Sequence, residues 1–264
     1  MDLLNDAIRI SRLAGALLKD RLSTDFNISY KGEVDIVTDV DKAAQDLIEG
    51  EIRRRYPGHG ILAEEGLDLA GSSGYRWIVD PLDGTTNYAH RFPVFSVSIA
   101  VAHEGETVCG VVYNPISDET FKAVRGKGAS LNALPISVSG TATLDRSLLG
   151  TGFPYDIRYT GDTNLHHFQN FAVRTQGIRR CGSAALDLCF VACGRLDGFW
   201  ELNLKPWDIA AGALIVREAG GITTDFEDKA LGLDGSRVLA SNRRIHEEML
   251  EILGSTPGQG QDGH

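Results

Sequence analysis

The pattern of apolar residues changes near residue 137, and that change limits the folds open to the chain. Before it, Val94 to His103 alternates strictly, with Phe95, Val97, Ile99 and Val101 on one side. The turn Glu104-Gly105-Glu106 leads to a second run, Val108 to Tyr113. Asn114-Pro115 breaks that run and Thr120 to Val124 returns. Alternation at period two between short turns predicts an antiparallel meander. Two helices precede it. Leu3, Leu4, Ala7, Ile8, Ala14, Leu17 and Leu18 share one face of a helix over 2–22. Ala44, Leu47, Ile48 and Ile52 do so from Asp39 to Tyr56, where Pro57-Gly58 stops the turn. Thr38-x-x-Asp41 reads as its capping box, with Asp in place of Glu. After residue 137, strand-like segments (147–152, 197–202, 222–225, 237–240) alternate with helix-like ones (163–175, 183–194, 206–221). That order predicts an α/β half. The expected division is an α+β part over 1–137, an α/β part over 138–254, and a Gly/Gln/Pro-rich tail over 255–264 without fixed structure.

Charge and cysteine content narrow the function classes. Thirty-six acidic against 26 basic residues give a net charge of −10. An acidic surface argues against direct binding of nucleic acid or anionic membrane. It leaves a phosphorylated substrate open, because bound divalent cations reverse the local field. No apolar run approaches the roughly 18 residues of a membrane span, and the N-terminal segment lacks the apolar core of a signal peptide. Cys109, Cys181, Cys189 and Cys193 form no C-x-x-C pair. Reduced thiols and a cytoplasmic location are expected.

The segment WIVDPLDGTTNY (77–88) carries the chemistry. An apolar strand ends at Asp80, Pro81 stiffens the turn, and Asp83 follows three residues on. Gly84 and Thr85 can open a helix whose free N–H groups face an anion. Two carboxylates that close repel each other unless a cation or a shared proton intervenes. Oxygen-only donors, with the Leu82 carbonyl among them, suit Mg²⁺ or Mn²⁺ rather than zinc. Further acids sit at element ends: Glu64-Glu65, then Asp35, Asp39 and Asp41, and Asp208 at a helix start.

These segments resemble the inositol monophosphatase family, in a superfamily that also contains fructose-1,6-bisphosphatase. The likeness rests on "EE" (64–65), "WIVDPLDGTTNYAHRFP" and "PWDIAAGALIVREAGG", and extends through "VDIVTDVDKAAQ", "GVVYNP", "RGKGA", "TGFP" and "GSAALDL". It spans roughly residues 5–250 and looks nearest to the bacterial SuhB-like branch. The resemblance implies a layered αβαβα sandwich of the α/β–α+β class with a metal site in the cleft between its parts. It implies a homodimer, two to three Mg²⁺ per site with Mn²⁺ as a substitute, and inhibition by Li⁺.

It also implies residue roles. Glu64, Asp80 and the Leu82 carbonyl would hold one metal, and Asp80, Asp83 and Asp208 a second. A third would use Glu64 and mostly water. Asp41 and Thr85, with Glu64, would serve the attacking water. The Gly84 and Thr85 amides would hold the phosphate. Gly182, Ser183, Ala184 and Glu201, with Asp83 and Asp208, would meet the alcohol portion. Ser183 stands where family members commonly carry Thr, and it keeps the hydroxyl. Lys31 is a candidate basic residue near the metals. The implied substrate is myo-inositol 1-phosphate or a similar polyol phosphate. Histidinol phosphate and fructose 1,6-bisphosphate are alternatives.

Two rival readings differ in class. An aspartyl-phosphate phosphatase of the haloacid-dehalogenase kind also ends a strand in aspartates, but needs Asp-x-Asp, whereas this chain has Asp-x-x-Asp. A partner protein of the transcription machinery with an incidental phosphatase site is the other. His90 and His166-His167 read as structural or surface groups, the arginines at 53–55 as an exposed helix end, and Gly126-Lys127-Gly128 as a turn.

Overall fold

The computed structural model describes residues 2–30, 36–233 and 235–254. Lys31, Asp35 and the 255–264 tail lie outside the described residues.

Helices α1 (Leu3–Leu22) and α2 (Asp39–Arg55) form where the apolar spacing places them. Asp2 caps α1 by accepting from the Asn5 N–H, and Lys19 and Arg21 complement the helix dipole in its last turn. Thr38 and Asp41 form the capping box of α2. Strands β1 (Ile28–Tyr30) and β2 (Ile36–Thr38) pair in a two-stranded sheet.

The larger sheet contains β3 (Gly60–Ala63), β4 (Leu67–Leu69), β5 (Tyr75–Asp83), β6 (Ser96–His103), β7 (Glu106–Asn114), β8 (Glu119–Val124), β9 (Ala129–Leu131) and β10 (Leu134–Pro135). Its spatial order is 10-9-8-7-6-5-3-4. The β6–β8 run is the predicted antiparallel meander, and β3 and β5 are parallel to each other. β4 and β10 carry no sequence signal, being short with no buried residue. β5 runs three residues past the predicted end. Pro81 sits inside it, at an irregularity in the β5–β6 register between Asp80 and Asp83, a place that tolerates a residue with no N–H to donate.

The short helix α3 (Thr85–Ala89) follows β5. The second sheet contains β11 (Leu148–Thr151), β12 (Gly177–Arg179), β13 (Gly198–Leu202), β14 (Ile222–Thr224) and β15 (Arg237–Ser241) in the order 12-11-13-15-14. The first three are parallel, and β15 and β14 join antiparallel. Its helices are α4 (Leu165–Ala172), α5 (Ala184–Ala192), α6 (Pro206–Glu218) and α7 (His246–Gly254).

Three cores define five layers. Alternate residues of β5 and β6, including Trp77, Val79 and Ile99, pack on α1 and α2. The residues between them, such as Ile78 and Ala100, pack on α5 and α6, which meet Phe199, Val238 and Ala240 of the second sheet on their other side. Trp200 and Leu239 on that sheet's outer face cover Phe171 of α4 and Met249 of α7. The result is the expected αβαβα sandwich. Helices α5 and α6 are apolar nearly all round because a sheet covers each side. Their N-termini, the end of β5 and the end of β13 open into one cleft.

Candidate active site

The cleft holds a cavity of about 280 Å³. Glu64, Asp80, Leu82, Asp83, Gly84 and Thr85 line it on one side, and Glu201 and Asp208 on the other. An adjoining cavity shares Asp83, Gly84, Glu201 and Asp208 and adds Gly182, Ser183, Ala184 and Arg180. All but one of the site residues expected from the sequence therefore face the same space.

The exception is Asp41, which has no exposed surface. One of its oxygens accepts from the Thr38 N–H at 2.9 Å and from the Thr38 hydroxyl. The other accepts from Thr85 Oγ1 at 2.9 Å. Asp41 is thus linked to the cavity through the Thr85 hydroxyl. Thr85 Oγ1 also lies 3.0 Å from the Leu82 carbonyl oxygen, which retains a second lone pair for another partner.

Local backbone chemistry places the acids. Asp80 ends the regular part of β5, and its carboxylate accepts from the Leu82 N–H at 2.9 Å. The register irregularity then sets Asp83 opposite Ser96 of β6. Asp83 reaches across the cleft to the start of α5, where it accepts from the Ala184 N–H at 3.2 Å, the Ala185 N–H at 3.0 Å and the Ser183 hydroxyl. It serves as the acidic cap that Ser183 itself does not supply. Asp208, in the first turn of α6, accepts from the Lys205 N–H at 2.7 Å. Gly84 adopts φ of 100°, and a Cβ there would lie 3.1 Å from the carbonyls of Gly182 and Val94, so glycine is required on both counts. Asn87 fastens the two walls by donating to the carbonyls of Val94 (2.7 Å) and Cys181 (2.8 Å).

The electrostatics are those of an acidic cavity. Burial holds Asp80 well above the usual carboxylate range, and Glu64, Asp83 and Asp208 add repulsion. Asp208 is raised likewise by burial, partly offset by the Lys205 N–H. Asp83 is raised by burial, with its four hydrogen-bond donors pulling the other way. Glu201 is pushed up to about 8 by burial, which the Arg180 guanidinium partly opposes. Glu201 and Asp208 retain some surface toward the cavity while protein surrounds the rest of each group.

Like charges forced together in low dielectric fit a hard divalent cation, and every donor in the set is oxygen. Among the described residues no three His, Cys, Asp or Glu side chains are already drawn into a metal cage. Asp80, Asp83 and Asp208 are each turned to N–H donors of the chain. The donor set therefore fits magnesium as a lining that a cation would gather.

Several groups at the site carry no distinguishing signal in the sequence. Phe153, Pro154 and Tyr155 form a wall of the cavity. The motif "TGFP" marks the segment without giving it a role. A methyl group at Gly152 would overlap the Glu201 carboxylate, so the glycine makes room for the acid. Arg180 and Ser96 have no signal beyond being polar next to motif residues. Trp207 lines the cavity, whereas Trp77 and Trp200 are wholly buried, as packing groups are.

A family model, "Inositol monophosphatase family", matches residues 2–256. The chain belongs to the inositol monophosphatase family. It is therefore a phosphatase by descent. An inositol-1-monophosphatase of Synechocystis sp. is 50% identical over 232 residues, covering 87% of this chain and 81% of that one. A Nus factor SuhB from Escherichia coli (strain K12) is 44% identical over 94% of both. The structure of an inositol monophosphatase from Anabaena (Nostoc) sp. PCC 7120 aligns with a TM-score of 0.88 at 43% identity, covering 97% of each chain. The haloacid-dehalogenase reading is thereby set aside.

Proposed function

We propose that this member of the family hydrolyses a small polyol phosphate, with myo-inositol 1-phosphate as first choice, in a magnesium-dependent reaction without a covalent phospho-enzyme. The observation that carries the reading is the convergence of Glu64, Asp80, Asp83 and Asp208 on one cavity, where burial and then repulsion from neighbouring acids raise the pKa of Asp80 and Asp208. Glu64, Asp80 and the Leu82 carbonyl would hold one ion, and Asp80, Asp83 and Asp208 a second. A third would rest on Glu64 and water. Mn²⁺ is the expected substitute and Li⁺ the expected inhibitor. Bound there, such ions supply Lewis-acid chemistry: they attract the phosphate, acidify water and neutralise a leaving alkoxide.

The chain's own residues do the rest. Thr85 Oγ1 gives its proton to Asp41 Oδ1 and so can accept one from a water on its cavity side. Buried Asp41, with its pKa raised by burial, is suited to take that proton. Gly84 and Thr85 line the cavity, and their N–H groups would be the phosphate donors. Gly182, Ser183 and Ala184 line the adjoining cavity where they would meet the alcohol portion, and Glu201 would accept from adjacent hydroxyls or pair with an amine. An amine is what histidinol phosphate would offer. The Synechocystis relative's name favours the inositol ester. The division at 137/138 separates the strand wall from the alcohol-facing wall. A homodimer and a cytoplasmic location complete the proposal; among the described residues no helix is long and apolar enough to cross a membrane.

The deciding experiment is phosphate release from a panel with Mg²⁺, with and without Li⁺. The panel contains inositol 1-phosphate, histidinol phosphate, fructose 1,6-bisphosphate, 3′-phosphoadenosine 5′-phosphate and NADP. Preference for the inositol ester supports the reading; equal turnover without divalent metal removes it. A second role is favoured by one observation, the name Nus factor SuhB of the Escherichia coli relative. Cellular rescue by a turnover-dead Asp83 variant would assign the physiological role to a transcription assembly rather than to the ester.

A further inference from the structure

Asp83 has two chemically distinct oxygens. Oδ2 is crowded: the Ser183 hydroxyl, the Ala185 N–H at 3.0 Å and the Ser96 hydroxyl at 3.1 Å all donate to it. Oδ1 accepts from the Ala184 N–H at 3.2 Å. Three donors saturate the lone pairs of Oδ2, whereas Oδ1 keeps capacity for a further partner. Three of these four donors come from the start of α5, across the cleft. Ser96 alone comes from the strand paired with Asp83, where the two residues are register partners.

Ser96 is wholly buried. Its hydroxyl lies 3.5 Å from Ser183 Oγ, so the two hydroxyls flank one carboxylate oxygen from opposite walls. A buried hydroxyl aimed at a buried carboxylate fixes its rotation, because turning the carboxylate would leave the hydroxyl without its acceptor.

We propose that Ser96 is a positioning residue for the phosphatase site: it pins Asp83 Oδ2 against the start of α5 and thereby presents Oδ1 to the second magnesium and to the substrate. The inference rests on the reading of Asp83 given above. It adds a residue on β6 that touches neither ion nor ester. Outer groups that orient a ligating carboxylate change metal affinity by about 10–100-fold when removed.

The test is magnesium binding by isothermal titration calorimetry, without substrate, on the full chain and on Ser96→Ala, Ser96→Cys and Asp83→Asn. Cysteine fills the space of serine but is a weak donor. The expected result is that Asp83→Asn abolishes one magnesium phase, and that Ala and Cys both weaken that same phase by about 10-fold, with melting temperatures near that of the parent. If Ser96→Cys binds as the parent does while Ser96→Ala is weakened, Ser96 fills volume and the inference fails. If both bind as the parent does while Asp83→Asn has lost the phase, the inference fails and the reading of Asp83 stands. If Asp83→Asn binds as the parent does, that reading fails and takes the inference with it. Should the alanine variant not fold, the cysteine variant decides alone.

Discussion

The two walls of the cleft are built differently. The wall made by β5 and its turn presents Asp80, Asp83, Gly84 and Thr85 from six consecutive residues, with Glu64 on the neighbouring strand terminus. Sheet pairing, a register irregularity and a left-handed glycine fix it, and its side chains carry one sign of charge. The opposite wall draws on four separated places: 153–155, 180–184, Glu201 and Asp208. It mixes an arginine with carboxylates and adds aromatic surface, while its first α5 N–H groups are taken up by Asp83. The first wall is rigid and suited to a group common to all phosphate esters. The second is assembled from element ends and loops, where side chains can differ without disturbing the sheet. Under the proposed function the first wall, joined by Asp208 from the second, would carry the chemistry, and the remainder of the second would choose the alcohol.

The largest effect is expected on the strand wall. Asp83→Asn should lower turnover by at least about 10²–10³-fold, comparable to removal of a key electrostatic group in other enzymes, while the far-ultraviolet circular dichroism stays that of the parent. A loss confined to KM would move Asp83 to the alcohol side and blur the contrast. Asp80→Asn sharpens it further. Burial and three neighbouring acids raise the folded-state pKa of Asp80, so the unfolded chain releases that proton at lower pH than the native one. Stability is then lost as pH rises above the ordinary carboxylate range toward the raised value. Asparagine removes the penalty. In EDTA at pH 8, Asp80→Asn should melt higher than the parent while its turnover with magnesium collapses. A variant that melts lower would show that the acids are not in mutual conflict.

The alcohol wall should respond more mildly and differently. Glu201→Gln is expected to raise KM for inositol 1-phosphate by about 10-fold, or about 1.4 kcal/mol, with a smaller change in kcat. Burial lifts Glu201 to about 8. In the empty site the carboxyl is therefore largely protonated at neutral pH, and it becomes a pure acceptor only as pH rises. In EDTA the parent should then lose stability as pH rises from the ordinary carboxylate range toward about 8, and the Gln variant should lack that loss. Thermal melts across this range check it. An unchanged KM would leave Glu201 as a packing acid beside Gly152.

What the sequence disclosed divides along the same line. The strand wall was readable because its residues are contiguous: an apolar run stopping at Asp80, then Pro81, Asp83 and Gly84, concentrates more acid at a strand end than an ordinary surface turn needs. The capping box of Thr38 and Asp41 was readable for the same reason, as were the meander and the helix order. Ser96 was not, because it looks like one polar residue in an alternating strand, and only the register shift between Asp80 and Asp83 brings it opposite an acid. Arg180 and Phe153 were hidden by distance along the chain. That Asp41 is buried and linked to the cavity through Thr85 depends on the packing of α2 against α3 and β5, which no local pattern encodes. The arginines at 53–55 are exposed, as expected, yet each is paired with a carboxylate, which leaves that end of α2 without a free basic patch.

The smallest effect tests whether a perturbed ionisable group must belong to the cleft at all. His167 on α4 is buried beneath Phe226, away from both cavities, with its Nδ1 unpartnered. Burial, then the neighbouring His166, lowers it to about 4. The unfolded chain binds this proton near the ordinary histidine value of about 6.5, the native one only near 4. Stability is therefore lost as pH falls through that window and is flat above it. His167→Leu replaces an unpaired polar atom with apolar surface in an apolar core. Thermal melts should favour the variant by roughly 2–4 °C for each kcal/mol recovered, and by more at pH 5 than at pH 8. Turnover at pH 8 should equal the parent's. A drop in turnover would tie the outer core to the cleft and end the separation between groups perturbed for chemistry and groups perturbed by packing alone.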